Sequence, residues 1–579
     1  MFCPPPTIHS KYPTFLKFSA IALVINSLFS TAGYSNVLIL DRNDFLRTNN
    51  GNKVYTITSE DQLRKLSLQL PSSSQKYVLT AESDSIAVDD VTSTVIEITG
   101  TKYKSSIEIG NPMIIGNNNA NQTQTVNSSS LISFDDGDDG YAKADFSTGS
   151  IHFQNITLQS SSSSVSGIID ASFAGWADHF DLDFEIDGNL TFENISYISD
   201  ENKHLINLYH NKSEEDNVID FNVTELTQIN NTTSNSFVKS YNATATLNDV
   251  TVTNSHFNEF LNLFGKSFTA KDISISNTEI QQLVDARQND FEVNSISYGG
   301  SSEGTFLSKE MNFMNFTDSS ITINKNLSIQ NLNFSAYGGT SAHLIEFENS
   351  SQISIGNPPT RSDEYAINLQ NINFYANTQV YQKYEEPIAL VSFHGKESGY
   401  ENEKIDINGL RVDGITISHQ ADRFDDEWTE PSVLQFWNQD DKDTENGGYL
   451  GNVWIGNVTF KNKTSSNETF PVKLFNTSAV QLYNSSIGLN QLTIYGISAE
   501  SKTEIDQKLN GLDLYNSSLS VGSICIVGLK ATDAEAYGIF EDALLDKYAS
   551  SINGLKKYTF QGFNRIPIML TAFFLIPAI

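Results

Sequence analysis

Apolar residues in this chain return at a fixed interval. Sliding Leu283 to Tyr298 back by 23 positions places Leu283 on Phe260, Val284 on Leu261, Ala286 on Leu263, Phe291 on Phe268, Ile296 on Ile273 and Tyr298 on Ile275. Each apolar cluster alternates as a strand does, and a period of 20 to 30 residues built of short strands and polar corners predicts a solenoid. From 86 to 530 one grammar recurs. One strand type carries two apolar residues, a polar one and another apolar one, as in Leu205-Ile206-Asn207-Leu208, Leu344-Ile345-Glu346-Phe347 and Val433-Leu434-Gln435-Phe436. A second type alternates around a central Asn, Asp or Gly, as in 151–158, 190–198, 367–375 and 452–460. A third sets Ser-Ser before an alternating strand, at Ser105-Ser106 and again at Ser350-Ser351. The spacing predicts three strands per coil with loops inserted at a corner. Asn and Gly there accept the left-handed backbone that such corners need.

The fold class expected is therefore all-β: a single-stranded parallel β-helix over 86–530. Two helical pieces are expected at its ends. Residues 33–85 read as a strand-helix-strand cap, in which Ser59 caps a helix carrying Leu63, Leu66 and Leu70 and stopped by Pro71. Thr532 and Glu535 form a capping box that predicts a short helix over 531–551. Residues 1–32 read as a signal peptide. Lys11 and Lys17 precede a 12-residue apolar run from Phe18 to Phe29, with small residues before Gly33. Residues 552–579 read as a tail with an apolar end, through which membrane association is open.

Composition narrows the partners. The 69 acidic and 36 basic residues leave a formal net charge of −33, which repels nucleic acid. Only Cys3 and Cys525 occur, and a chain this poor in cysteine suits bacterial export. Asn-x-Ser/Thr sequons recur, for example at Asn155, Asn194, Asn315, Asn457 and Asn516. Many fall inside predicted strands, where the grammar itself generates them. The rival reading is a eukaryotic surface glycoprotein with a lipid anchor after Ala549-Ser550-Ser551.

Candidate chemistry is sparse. Asp135, Asp136, Asp138 and Asp139 cluster carboxylates among glycines, the oxygen-rich chemistry of a Ca²⁺ site, beside the reading of a solvated acidic loop. No other cofactor is indicated. Trp176, Trp428 and Trp437 lie near acidic loops and are candidates for a carbohydrate- or protein-binding patch, or for core filling under a loop. Serine-nucleophile chemistry finds no support. The histidines are dispersed, and no His-Glu-x-x-His or Cys-x-x-Cys occurs. No catalytic residue is assigned.

Leader, cap, poverty in cysteine and Asn-hydrophobic-Ser/Thr-hydrophobic rungs together resemble bacterial autotransporter passengers and related pectin-lyase-like β-helix surface proteins, over about 50–530. The resemblance implies an exported, adhesin-like binding passenger at the bacterial outer membrane or secreted from it. Its partner would be a surface protein or glycan of a host or neighbouring cell. The resemblance also admits a polysaccharide lyase or hydrolase on the same scaffold. Autotransporters continue into an outer-membrane barrel, and here the residues after 551 read as a tail instead.

Overall fold

The structure is a computed structural model. It describes strand segments between 38 and 81 and most of 84–561; residues 1–37 and 562–579 lie outside it, as do intervening segments of which the longest include 301–311, 357–364, 379–387, 396–403, 438–447, 465–473 and 542–549. The described residues carry 46 strands joined in one hydrogen-bonded sheet. Every pairing is parallel except that of Leu46–Arg47 with Lys53–Ile57. The chain is an all-β parallel solenoid.

Each coil feeds three ladders. In the shortest coils, strand His256–Phe264 serves the first, while strand Ser267–Ser276 serves the second with its first half and the third with its second half. The repeat read from the sequence is the register itself. Leu261 pairs with Val284, Leu263 with Ala286, Phe268 with Phe291, Ile273 with Ile296 and Ile275 with Tyr298. In later coils, extra residues enter between the third ladder and the first, as from Thr378 to Ala389, and between the first and second, as from His394 to Lys404.

Inward positions stack like on like. Phe316, Phe347, Phe393 and Phe436 form one column at 5.4, 5.0 and 5.0 Å between ring centroids. In the coil from 256, Phe257, Phe260, Leu261, Leu263, Phe268, Ile273 and Ile275 are all buried. At roughly 1.5–3 kcal/mol for each large side chain removed from water, these residues drive stacking. The rings of one coil face those of the next, so a coil alone would leave them wet.

The corners repeat a second device. Asn231, Asn254 and Asn277 take φ of 49, 51 and 47°, the left-handed region. Each is followed by a buried hydroxyl: Thr232, Ser255 or Thr278. Ser255 Oγ donates to Thr253 O at 2.8 Å and accepts from Thr232 N of the preceding coil at 3.1 Å. Corner amides also stack, with Asn277 Nδ2 donating to Asn254 Oδ1 at 2.6 Å and Asn194 Nδ2 to Asn155 Oδ1 at 2.8 Å. Sequons at Asn155, Asn194, Asn457 and Asn516 sit at such positive-φ corners, so the coil grammar accounts for them.

Two expectations need correction, since the described residues contain no helix. Within the predicted helix at 59–70, Leu66–Gln69 is a strand between Leu38–Leu40 and Ile96–Thr99. Leu66, Leu68 and Leu70 fit a period of two as well as Leu63, Leu66 and Leu70 fit the helical spacing, and so short an apolar run cannot separate the two. Within the predicted C-terminal helix, Glu535–Glu541 is a strand on Asp506–Tyr515. The open edge of Asp506–Tyr515 overrides the local capping signal, and Ala536 and Tyr537 are buried against the core. Stacking runs on to Lys557–Gln561, beyond 530 and into the stretch read as tail.

Asn277→Ala should destabilise the surrounding coils by roughly 1–2 kcal/mol, since alanine resists the left-handed backbone, whereas Asn277→Gly should cost less. Hydrogen exchange of peptides spanning 250–300 checks this. Equal losses for both variants would contradict the corner account.

Candidate functional site

Alternation decides what the outer face displays. In His256–Phe264, Leu261 and Leu263 enter the core, so Asn262 between them faces outward, and Glu259, hydrogen-bonded to Asn262, lies on the same side although it shares the parity of buried Phe257 and Leu261. Between Glu259 and Asn262, Phe260 and Leu261 are buried in succession, which bends the strand. The register passes from Glu259–Gln282 to Leu261–Val284 over this bend. Outward residues on its two sides therefore converge. Asn262 Nδ2 donates to Glu259 Oε2 at 2.5 Å, Asn510 Nδ2 to Asp513 Oδ2 at 3.1 Å, and His343 Nδ1 lies 3.1 Å from Glu346 Oε1.

Stacked coil on coil, the bend becomes a furrow. One side runs Asp170, Asn207, Lys239, Asn262 and Asp285 in register. It continues through Asn315, Glu346, Ser392, Gln435, Gln481 and Asp513. Every member is polar. At the usual spacing of strands the line extends about 48 Å. Opposite it across the bend stand His204, Ser236, Glu259 and Gln282.

Hydrogen bonds run along this line. Asn207 donates to Asp170 at 2.8 Å, Asn315 to Asp285 at 3.0 Å and Gln435 to Gln481 at 3.1 Å, while Asn476, Ser478 and Asn510 converge on Asp513 at 3.0, 3.3 and 3.1 Å. Arg287 grips Asp285 at two points, both at 3.0 Å. Most of the furrow is buried, but Lys239, Glu259 and Asn262 are half-exposed, so it opens along the shortest coils.

The first rungs hold unmet polar groups. His204 is fully buried, and neither ring nitrogen has a hydrogen-bond partner among the described residues. Asn207 Oδ1 and Ser236 Oγ are also unpartnered among them. Burial, with the charges of Lys239 and Lys203 added, holds the His204 imidazole down at about 3. Burial alone does the same to His419.

An aromatic line borders the furrow two residues further along the same strands. Tyr209, Tyr241 and Phe264 stack at 5.1 and 4.6 Å. Trp437, Tyr483 and Tyr515 stack at 4.0 and 4.6 Å. Trp437 is thus a half-buried member of a ring column. Trp428 lies in strand Trp428–Thr429, and of the three it alone has only its backbone described. Trp176 falls outside the described residues. Asp135 ends strand Ile132–Asp135, where it pairs with Thr99, while Asp136, Asp138 and Asp139 lie outside the described residues. Among those described, no group of three or more His, Cys, Asp or Glu is arranged to hold a metal. No helix there is long and apolar enough to cross a membrane. On another face, Lys104 Nζ gathers Asp145, Asp181 and Asp183 at 2.9, 2.8 and 2.6 Å, a closed knot of charge.

Sequence reasoning passed over the furrow, though its signal was present as the polar third residue of each apolar-apolar-polar-apolar strand. It also overlooked Gly300-Ser301-Ser302-Glu303-Gly304, which has Gly-x-Ser-x-Gly spacing. Such an elbow needs a strand-turn-helix setting. Residues 301–311 lie outside the described residues, and the string receives no role. No protein-family model, curated protein or solved structure matches the chain.

The depressed histidines set a pH dependence. Between pH 6.5 and about 3 the unfolded chain binds protons that buried His204 and His419 refuse, so their contribution is complete above 6.5 and declines as pH falls toward 3. Replacing His204 with Asn should reduce the loss of melting temperature between pH 7 and pH 4.5 relative to the parent chain. An unchanged pH slope would contradict the burial assigned to His204.

Proposed function

We propose that this protein is an exported cell-surface β-helix acting as an adhesin-like binding passenger, with the furrow as its contact surface. The observation that carries the reading is the unbroken polar line from Asp170 to Asp513, mostly buried but half-exposed at Lys239 and Asn262, with Glu259 across the bend half-exposed beside them. A solenoid needs no such line for its core, and a long, regular row of hydrogen-bonding side chains suits an extended partner. The leader-like segment and the net charge of −33 support an exterior location. The partner is a surface protein or glycan of a host or neighbouring cell. The ancestry this implies is that of autotransporter-type or pectin-lyase-like β-helices.

A second reading, a polysaccharide lyase or hydrolase on the same scaffold, has its own observation. Lys239, Glu259, Asp285 and Arg287 fall on three successive coils at the open part of the furrow. Paired carboxylates beside a cation are the raw material of glycosidic bond cleavage. The third reading, a lipid-anchored eukaryotic glycoprotein, is favoured by the tail and by sequons outside the corner device, such as exposed Asn326.

The soluble chain should bind intact target cells saturably and release no new reducing ends from their polysaccharide. Absence of saturable binding on bacterial and eukaryotic cells would overturn the binding reading. Release of reducing ends that Glu259→Gln abolishes would install the enzyme reading in its place.

A further inference from the structure

We infer that the three loop-free coils from Thr233 to Gly299 hold a saccharide subsite in the furrow, taking a neutral chain rich in vicinal hydroxyls. The inference rests on the binding reading and gives it a ligand class. Three successive rungs set Ser236 with Lys239, Glu259 with Asn262, and Gln282 with Asp285 across the bend. A carboxylate only accepts, an ammonium only donates, and an amide does both. Their mixture at strand spacing matches hydroxyls, each of which donates and accepts. The half-exposed Asn262 amide, a planar two-point group, suits neighbouring hydroxyls on one ring.

Charge selects within the saccharides. In the open stretch Glu259 and Asp285 are balanced by Lys239 and Arg287, and Asp285 is already committed to Arg287. Beyond it the same line carries Asp170, Glu346 and Asp513, and the molecule as a whole is strongly acidic. A polyanion such as polygalacturonate meets like charge on both sides of a neutral window. A neutral chain is not repelled. Of the six rung residues, Lys239, Glu259 and Asn262 are half-exposed and can meet a ligand, while Ser236, Gln282 and Asp285 are buried. Alongside, Tyr241 and Phe264, stacked at 4.6 Å, give the window an apolar border for ring C–H groups.

The test is affinity electrophoresis of the full chain in gels containing dextran, xylan, hydroxyethylcellulose or polygalacturonate. At least one neutral polymer should retard it and polygalacturonate should not. Asn262→Ala and Lys239→Met, both at half-exposed positions, should each weaken retardation about tenfold or more. Ser274→Arg, on an exposed position of the third ladder, should leave it unchanged. Thermal melting of each variant separates loss of binding from loss of fold. Retardation by polygalacturonate as strong as by any neutral polymer, or full affinity in both window variants, would overturn the inference. So would failure of all three neutral polymers. If the chain still binds cells in that last case, the subsite falls and the binding reading stands; if it binds no cells, both fall.

Discussion

Parallel, in-register stacking of coil on coil is the constraint from which everything else in this molecule follows. A strand such as His256–Phe264 has one neighbour before it and one after it, and its backbone groups are satisfied only if both keep register. A slip of one residue would turn Leu261 and Leu263 outward and Asn262 into the core. The corners hold the register against that slip. Left-handed Asn residues turn the chain, and the hydroxyls of Ser255 and Thr278 after two of them close their own turns while accepting an amide from the coil before. The core columns of phenylalanine supply the driving force, and the corners supply the uniqueness.

The furrow is a by-product of one irregularity in this order. Two buried residues in succession, Phe260-Leu261 or Leu344-Ile345, bend the first strand of the coil. The bend brings outward side chains three positions apart into contact, as Glu259 meets Asn262 and His343 meets Glu346. Repetition then converts a local contact into a line. Because adjacent rungs share hydrogen bonds, changing one polar residue disturbs its neighbours, and the functional surface is tied to the coil repeat. Where the coils are shortest, nothing is inserted beside the bend, and Lys239, Glu259 and Asn262 are half-exposed.

Much of the fold could be read in the sequence because apolar periodicity and register are the same quantity. Leu261 over Val284 and Phe268 over Phe291 are sequence matches and ladder partners at once. The terminal helices could not be read correctly. Leu63, Leu66 and Leu70 fit the helical period while Leu66, Leu68 and Leu70 fit a period of two, and only the strand Ile96–Thr99, distant in sequence, decides between them. Thr532 and Glu535 carry a genuine local helix signal that a waiting strand edge overrides. The furrow was hidden for another reason. Asn262, Asp285 and Gln435 sit in strands recognised by their apolar neighbours, and convergence across a bend is a three-dimensional property. Trp437 was singled out for its place beside an acidic loop, yet its setting is a ring column with Tyr483, 46 residues later in the chain.

Carboxyl footprinting with carbodiimide and glycine ethyl ester, read by mass spectrometry with and without a bound neutral glucan, tests the central claim directly. The claim is that the furrow at the shortest coils is the contact surface. The account predicts that labelling of half-exposed Glu259 falls when ligand is added, while exposed Glu292, on the second ladder of the next coil, is labelled as before. Protection of Glu292 with Glu259 unchanged would place the contact on another face and contradict the account.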